Sequence, residues 1–320
     1  MPGSFMVSTS PHLRTPLDTA KVMRIVFAAL LPTAVASFFI FGVHSLAVIL
    51  TSIVTCVLAE LACNRVFGQE TTITDGSAAV TGILFAFTLP PTTPLWMVAV
   101  GAVLAIVVVK QLFGGLGYNI FNPALAARAI LLASWPVAIT TWAKPVNSFL
   151  ATDAVTTATQ LGLLKEAQRV AGSLPETYGY LDLFLGNVPG SLGETCKVTL
   201  LAGAVVLFAL KIIDWRIPTS FIAAVVLFSF FFGRDPLAAV LSGGVILGAF
   251  FMATDMVTSP SGKAGKLIFG AGCGTLTALI RSYGGFPEGV CYSILLMNCF
   301  TPLIEKYVRP RPFGAVKAKA

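Results

Sequence analysis

Residues 23–42 and 45–63 form two apolar runs of about twenty residues each, separated only by Val43 and His44. At about 1.5 Å of helix rise per residue, each run matches the roughly 30 Å hydrocarbon core of a bilayer. Lipid offers no hydrogen bonds, so each run must satisfy its own backbone as a helix, and the two-residue connection makes a tight antiparallel pair. Eight further apolar runs follow, at about residues 76–89, 94–109, 124–139, 197–213, 219–232, 237–254, 267–280 and 289–304. The fold class expected is an all-α polytopic membrane protein of about ten transmembrane helices. Several runs are nearer fourteen residues than twenty, which points to broken or re-entrant helices. Composition agrees: 56% of the 320 residues are hydrophobic and 11% charged, with mean hydropathy +0.86, whereas soluble domains are about 25% charged.

Charge fixes a direction. With the N-terminus in the cytoplasm and alternating spans, Arg14, Lys21, Arg24, Arg65, Lys110, Lys211, Arg216, Lys263, Lys266 and the basic residues from Lys306 onward fall on the cytoplasmic side. The other side receives Lys144, Lys165, Arg169, Lys197, Arg234 and Arg281. This asymmetry fits the positive-inside rule with both termini inside. The net charge of +7 is therefore a topology signal, not a nucleic-acid footprint. The expected layout is a cytoplasmic tail (1–22), a first membrane half (23–139), an extracytoplasmic loop (140–196), a second membrane half (197–304) and a basic cytoplasmic tail (305–320). Five runs before the loop and five after it suggest halves inserted in opposite senses, an inverted repeat. The stretches "GGLGYNIFNPALAARAIL" and "RSYGGFPEGVCYSILLMN" hold corresponding places, each coupling a Gly-Tyr cluster to an Asn-Pro or Phe-Pro break before a helix.

Several chemistries are disfavoured. The six cysteines, Cys56, Cys63, Cys196, Cys273, Cys291 and Cys299, fall almost entirely in apolar runs with no C-x-x-C spacing, and read as small buried hydrophobes. His12 and His44 are the only imidazoles, too few for a metal cage. The first twenty residues lack the apolar core of a cleavable signal. No metal site and no residue for self-contained catalysis is expected.

Three segments break helix rules. "KQLFGGLGYNIFNPA" (110–124) has glycine and proline at membrane depth, and reads either as a connector between helices or as a broken-helix site for an anion or a polarisable ring. "TDGSAAVTG" and "ATDMVTSPSGKAGK" pair Asp with Thr or Ser, and neither fits a phosphate loop. Glu60 and Arg128 lie inside apolar runs, where each costs about 2.5–3.5 kcal/mol at a helix centre, so both should face the bundle interior and be paired. They suit an ion path or a tie between helices equally.

The polar loop contains "ATDAVTTATQLG" (151–162), with Asp153, Thr156 and Ala158 leading to Thr159 and no local base to activate a hydroxyl. A hydroxyl modified by another enzyme needs instead exposure, a flexible backbone and a recognisable sequence. The spacing D-x-x-[ST]-x-A-[ST] resembles the acceptor motif for covalent flavinylation. "DGSAAVTGILFAFTLP" (75–90), "GGLGYNIFNPALAARA" (114–129) and "FMATDMVTSP" (251–260) likewise resemble blocks of the D subunit of the Rnf complex, homologous to the B subunit of the sodium-pumping NADH:quinone reductase. The similarity runs from about residue 23 to 313. It implies that a flavin transferase joins FMN to Thr159 through a phosphoester, with Asp153, Thr156 and Ala158 as its recognition residues. The chain departs from the commoner family pattern at Thr157, usually Gly, and Gln160, usually Pro.

The resemblance further implies a noncovalent riboflavin within the bundle, with no ligand residues identifiable. It implies Rnf subunits G, C, A, E and B as partners, besides the bilayer, and a place in a bacterial or archaeal cytoplasmic membrane with the flavin-bearing loop outside. The activity implied is electron transfer in a Na⁺- or H⁺-translocating ferredoxin:NAD⁺ oxidoreductase. Alternatives are a subunit of the quinone reductase, a channel or transporter of inverted-repeat fold, or a structural scaffold.

Overall fold

The computed structural model describes residues 18–68, 72–145, 156–157, 159, 161–162, 178–285 and 288–308. Helix α1 (Thr19–Phe41) starts where the Asp18 carboxylate accepts the Thr19 N–H at 2.8 Å. Gly42, at φ +80°, is the whole connection to α2 (Val43–Val66). The expected hairpin is present, and its turn is one residue long.

α2 shows how the chain treats its surroundings. Leu46, Leu50, Val54 and Leu58, four residues apart, are exposed, while Ser45, Ser52, Glu60 and Asn64 are buried. An aqueous protein does the reverse; an apolar stripe facing outward with polar groups inside is a lipid-facing helix. α1 repeats the pattern with Leu31, Val35 and Phe39 outward. Three helical stretches, Thr19–Phe41, Val43–Val66 and Leu95–Phe113, are long and apolar enough to cross a membrane alone.

A 3₁₀ turn (Ile73–Asp75) leads into α3 (Ser77–Phe87), which packs on α2. Next comes α4 (Leu95–Val103), which continues without a break through a π-helical segment (Leu104–Lys110) and a 3₁₀ turn (Gln111–Phe113). α5 (Pro123–Ser134) and the short α6 (Pro136–Thr140) replace the single helix expected over 124–139. Pro136 supplies no N–H and disfavours helical geometry at Trp135, which sits at φ −132°, ψ 64°. Strand β1 (Trp142–Ala143) pairs antiparallel with β2 (Thr156–Thr157), Trp142 opposite Thr157 and Ala143 opposite Thr156.

The second half holds α7 (Tyr180–Leu185), α8 (Lys197–Ala209), α9 (Arg216–Phe231), α10 (Pro236–Leu241) and the three-residue α11 (Val245–Leu247), which runs into a π-helical turn (Gly248–Met252). The run expected as one helix over 237–254 is thus interrupted at Ser242–Gly244. α12 (Lys263–Tyr283) and α13 (Val290–Tyr307) complete the bundle, each longer than the apolar run that predicts it. α1 packs on α8, α5 on α13, and α9 on α12. In the α8–α9 turn, Asp214 bonds Arg216 and Lys266. Burial there favours the neutral acid, but the Arg216 N–H and the Lys266 and Arg216 side chains outweigh it and hold the carboxyl below its ordinary range.

The α9–α12 crossing rests on small residues. Gly270 and Gly274, four apart on one face of α12, leave no room for a side chain. A Cβ at Gly270 would sit 2.5 Å from the Ile217 carbonyl oxygen, and one at Gly274 would sit 2.7 Å from the Ala224 Cβ. Close backbone approach of this kind holds helices together where the hydrophobic effect gives no drive between them. Gly274→Ala is expected to force α9 and α12 apart at a cost of about 1–3 kcal/mol, read as a lower melting temperature in detergent. Unchanged melting would show that the crossing tolerates the extra volume.

Candidate functional site

Two buried polar clusters stand out among the helices. The first surrounds Glu60, whose Oε1 accepts from Lys110 Nζ at 2.7 Å, Gln111 Nε2 at 3.2 Å and Thr72 Oγ1 at 3.2 Å. Lys110 Nζ also donates to Ser77 Oγ at 2.6 Å, and Asn64 Nδ2 donates to Thr72 Oγ1 at 3.1 Å. Glu60 and Lys110 are each 1% exposed. Glu60 is paired inside the bundle, as its position demands. Lys110 is not the loop cation expected at the cytoplasmic surface. The π-helical segment ending at Lys110 adds a residue to the turn and rotates the succeeding residues by about 100°, aiming Lys110 and Gln111 at α2.

Lys110 and Ser77 also line a cavity of about 110 Å³, with Asn119, Asn122, Thr254 and Asp255 as further polar walls and Met23, Val26, Phe250 and Phe251 among the apolar ones. The glycine-rich stretch is what shapes it. Gly114, Gly115 and Gly117 all take positive φ, turning the chain back before Asn122, whose Oδ1 caps α5 through the N–H groups of Ala124 and Leu125. Pro123 follows as the first helical residue, where its missing N–H costs nothing. This stretch is a cavity wall as well as a connector. Asp75 and Asp255 perform the same local task in the two halves: Asp75 Oδ1 accepts the Ser77 N–H at 2.7 Å, and Asp255 Oδ1 accepts the Val257 N–H at 3.3 Å.

The second cluster lies against Thr159. Its Oγ1 accepts the Gly162 N–H at 3.1 Å, and the residue is only 7% exposed. The exposure expected of a modifiable hydroxyl is absent. Leu161, 5% exposed, pulls the segment inward, and its Cδ1 lies so near Gly243 that a Cβ there would come within 2.8 Å. Thr159 borders a cavity of about 10 Å³ shared with Gly190, Glu194, Thr195, Lys197, Ser242, Gly243 and Glu288, room for about one water. Thr156 lies in β2, its backbone paired with Ala143; Asp153 and Ala158 lie outside the described residues.

Arg128 is paired as well, to Glu288 across the α5–α13 contact. Lys197 and Arg281, expected as loop charges on the outer side, are buried at 1% and 3% exposure. Arg281 donates to the carbonyls of Ala239 at 2.6 Å and Ser242 at 3.0 Å, closing the gap between α10 and α11. The six cysteines are free, with Cys56, Cys63, Cys273 and Cys291 buried, Cys196 half-buried and Cys299 exposed. Sequence reasoning missed Lys110, Glu194, Lys197, Arg281 and Glu288 as site residues. The signal available was a charge at the very end of an apolar run, which looks the same whether it turns outward or inward.

A helical bundle that shows apolar stripes outward and keeps ion pairs within is a multi-pass membrane protein. The chain belongs to the NQR2, RnfD, RnfE family, whose model matches residues 6–314. It is 48% identical to the D subunit of a proton-translocating ferredoxin:NAD(+) oxidoreductase complex of Clostridium ljungdahlii, over 97% of this chain and 96% of that one. It is 47% identical to the D subunit of a Na(+)-translocating ferredoxin:NAD(+) oxidoreductase complex of Acetobacterium woodii, over 98% and 96%. The D subunit of an ion-translocating oxidoreductase complex of Halorhodospira halophila is 38% identical, over 97% and 96%.

Proposed function

We propose that this chain is the D subunit of a membrane-bound ferredoxin:NAD⁺ oxidoreductase that couples electron flow to Na⁺ or H⁺ movement, and that it carries FMN as a phosphoester on Thr159. The observation that carries the reading is near-half identity, over almost the whole length, to two subunits so named. Those two relatives differ in coupling ion at nearly equal identity, so overall similarity does not choose between Na⁺ and H⁺.

The residues at Thr159 suit an ester. Among the described residues Oγ1 only accepts a hydrogen bond, and an ester oxygen can accept the same Gly162 N–H. The adjoining 10 Å³ has room for about one water, so both the phosphoryl group and the ring would extend away from the cluster. When bound, FMN supplies the one- and two-electron chemistry. Thr159 anchors it, at an effective concentration on the order of millimolar or above, while the packing of Leu161 keeps the attachment point out of water.

A second, noncovalent flavin suits the 110 Å³ cavity, where Lys110 and Asn119 offer donors and Met23, Val26 and Phe250 an apolar wall. Ten spans in an inverted repeat are supported by the pairing of first helix with first (α1 with α8) and last with last (α5 with α13), and by the matching Asp75 and Asp255 turns. That arrangement, with both termini cytoplasmic and Thr159 outside a bacterial or archaeal cytoplasmic membrane, is part of the same proposal. So are the partners: Rnf subunits G, C, A, E and B, and a flavin transferase for maturation. The family description also names NQR2, so a quinone reductase subunit is the second reading; reduction of NAD⁺ or of quinone by the purified complex separates them.

Mass spectrometry of the peptide containing Thr159, from chain co-expressed with a flavin transferase, tests the attachment. An added FMN less one water is expected; a bare threonine in active complex would sink it.

A further inference from the structure

A cavity of about 20 Å³ lies where the two halves of the chain meet. Arg128 of α5 reaches its wall from the first half. From the second half come Ser191 and Glu194, which precede α8, Arg281 near the end of α12 and Glu288 just before α13. Met252 and Cys291, both buried, belong to the apolar part of the same wall.

The polar groups on this wall use only part of their hydrogen-bonding capacity. Arg281 donates to the carbonyls of Ala239 and Ser242 through its two terminal nitrogens, but its buried Nε–H has no partner among the described residues. Glu288 accepts from Arg128 through Oε2, while Oε1 is buried and unpartnered. The Ser191 N–H donates to Glu194 Oε1 at 2.9 Å, yet Ser191 Oγ is buried with nothing to bond. A buried polar group left in this way costs about 1–3 kcal/mol, and more when it is charged.

The mixture of groups selects what can satisfy them. A guanidinium N–H only donates, a carboxylate oxygen only accepts, and a hydroxyl does either. An anion here would face the Glu288 carboxylate, and a metal ion would face the Arg281 guanidinium. Water meets neither objection: it accepts from Nε–H, donates to Oε1 and takes either role with Oγ. The volume of about 20 Å³ exceeds the roughly 10–15 Å³ that one water needs, and about three polar partners is the usual number for a buried one.

We propose that this cavity is the binding site of one structural water, which bridges Ser191, Arg281 and Glu288. It completes the hydrogen bonding of the Arg128–Glu288 pair, because a buried ion pair persists only when its remaining lone pairs and protons are also satisfied. The water thereby ties the first half, through Arg128, to the broken-helix corner that Arg281 holds. The site does not depend on whether Thr159 carries a flavin.

Hydroxyl radicals generated by short X-ray pulses test it, since they form from water in place and oxidise sulfur side chains beside it. The full-length chain in lipid nanodiscs is irradiated and its peptides are read by mass spectrometry. Met252 and Cys291 should be oxidised several-fold faster than Met97 and Cys273, which are equally buried but do not border this cavity. Ser191→Val fills the space and removes one partner, so oxidation of Met252 and Cys291 should fall to the level of the two controls. Four sulfurs oxidised alike in the wild type, whether all protected or all labelled, would overturn the proposal, and this comparison decides alone if S191V does not fold. Unchanged labelling in a folded S191V would overturn it as well.

Discussion

Lys110→Met is expected to cost about 3–5 kcal/mol, because it leaves the Glu60 carboxylate buried with no cation. At 1% exposure on both partners and 2.7 Å separation, neither charge reaches lipid headgroups or water when the other is gone. Gln111 Nε2 and Thr72 Oγ1 remain near Glu60, but neutral donors do not replace an ammonium in this setting. The loss should appear as a fall on the order of 10 °C in melting temperature in detergent, with Glu60→Met comparable. The double variant should recover most of it, since replacing a buried pair with apolar residues is often neutral or stabilising. A single variant as stable as wild type would mean that water or another cation already serves Glu60. If the double variant is stable but redox-inactive, the pair is kept for holding Lys110 on the wall of the 110 Å³ cavity rather than for folding.

Thr159→Val should abolish covalently held flavin altogether. Valine keeps the shape of threonine but has no oxygen to carry the ester, so the in-gel fluorescent band expected of the loaded wild-type chain after denaturation should vanish, not weaken. Ferredoxin-driven NAD⁺ reduction by the assembled complex should fall to background with it, while the chain still inserts and melts within about 1–3 kcal/mol of wild type, the price of an orphaned Gly162 N–H. Thr159→Ser retains the oxygen and should retain flavin. Full activity in the valine variant would restore the scaffold reading, and a persistent fluorescent band would move the ester to another hydroxyl.

Much of the fold was legible because hydropathy is a local property. The 23–42 and 45–63 runs predict α1 and α2 to within a few residues, and Asn122-Pro123 announces the start of α5. The burial of Glu60 and Arg128 also followed from position alone, since a charge inside an apolar run has few places to go. Their partners did not follow: Lys110 is fifty positions from Glu60, and Glu288 is 160 from Arg128. Nothing local separates a lysine that ends a helix in water from one turned inward by a π-helical segment. The same ambiguity hid Lys197 and Arg281, placed by alternation on the outer side when each is buried. Gly270 and Gly274 escaped notice because the length of an apolar run says nothing of the faces it brings together.

On the proposed attachment, the burial of Thr159 sets an order of events during biogenesis. If Thr159 carries FMN as proposed, its 7% exposure requires a transferase to act while this corner is still undocked, with docking then covering the linkage. Esterification and closure become successive steps, and a chain that closes bare has shut out the enzyme that would complete it.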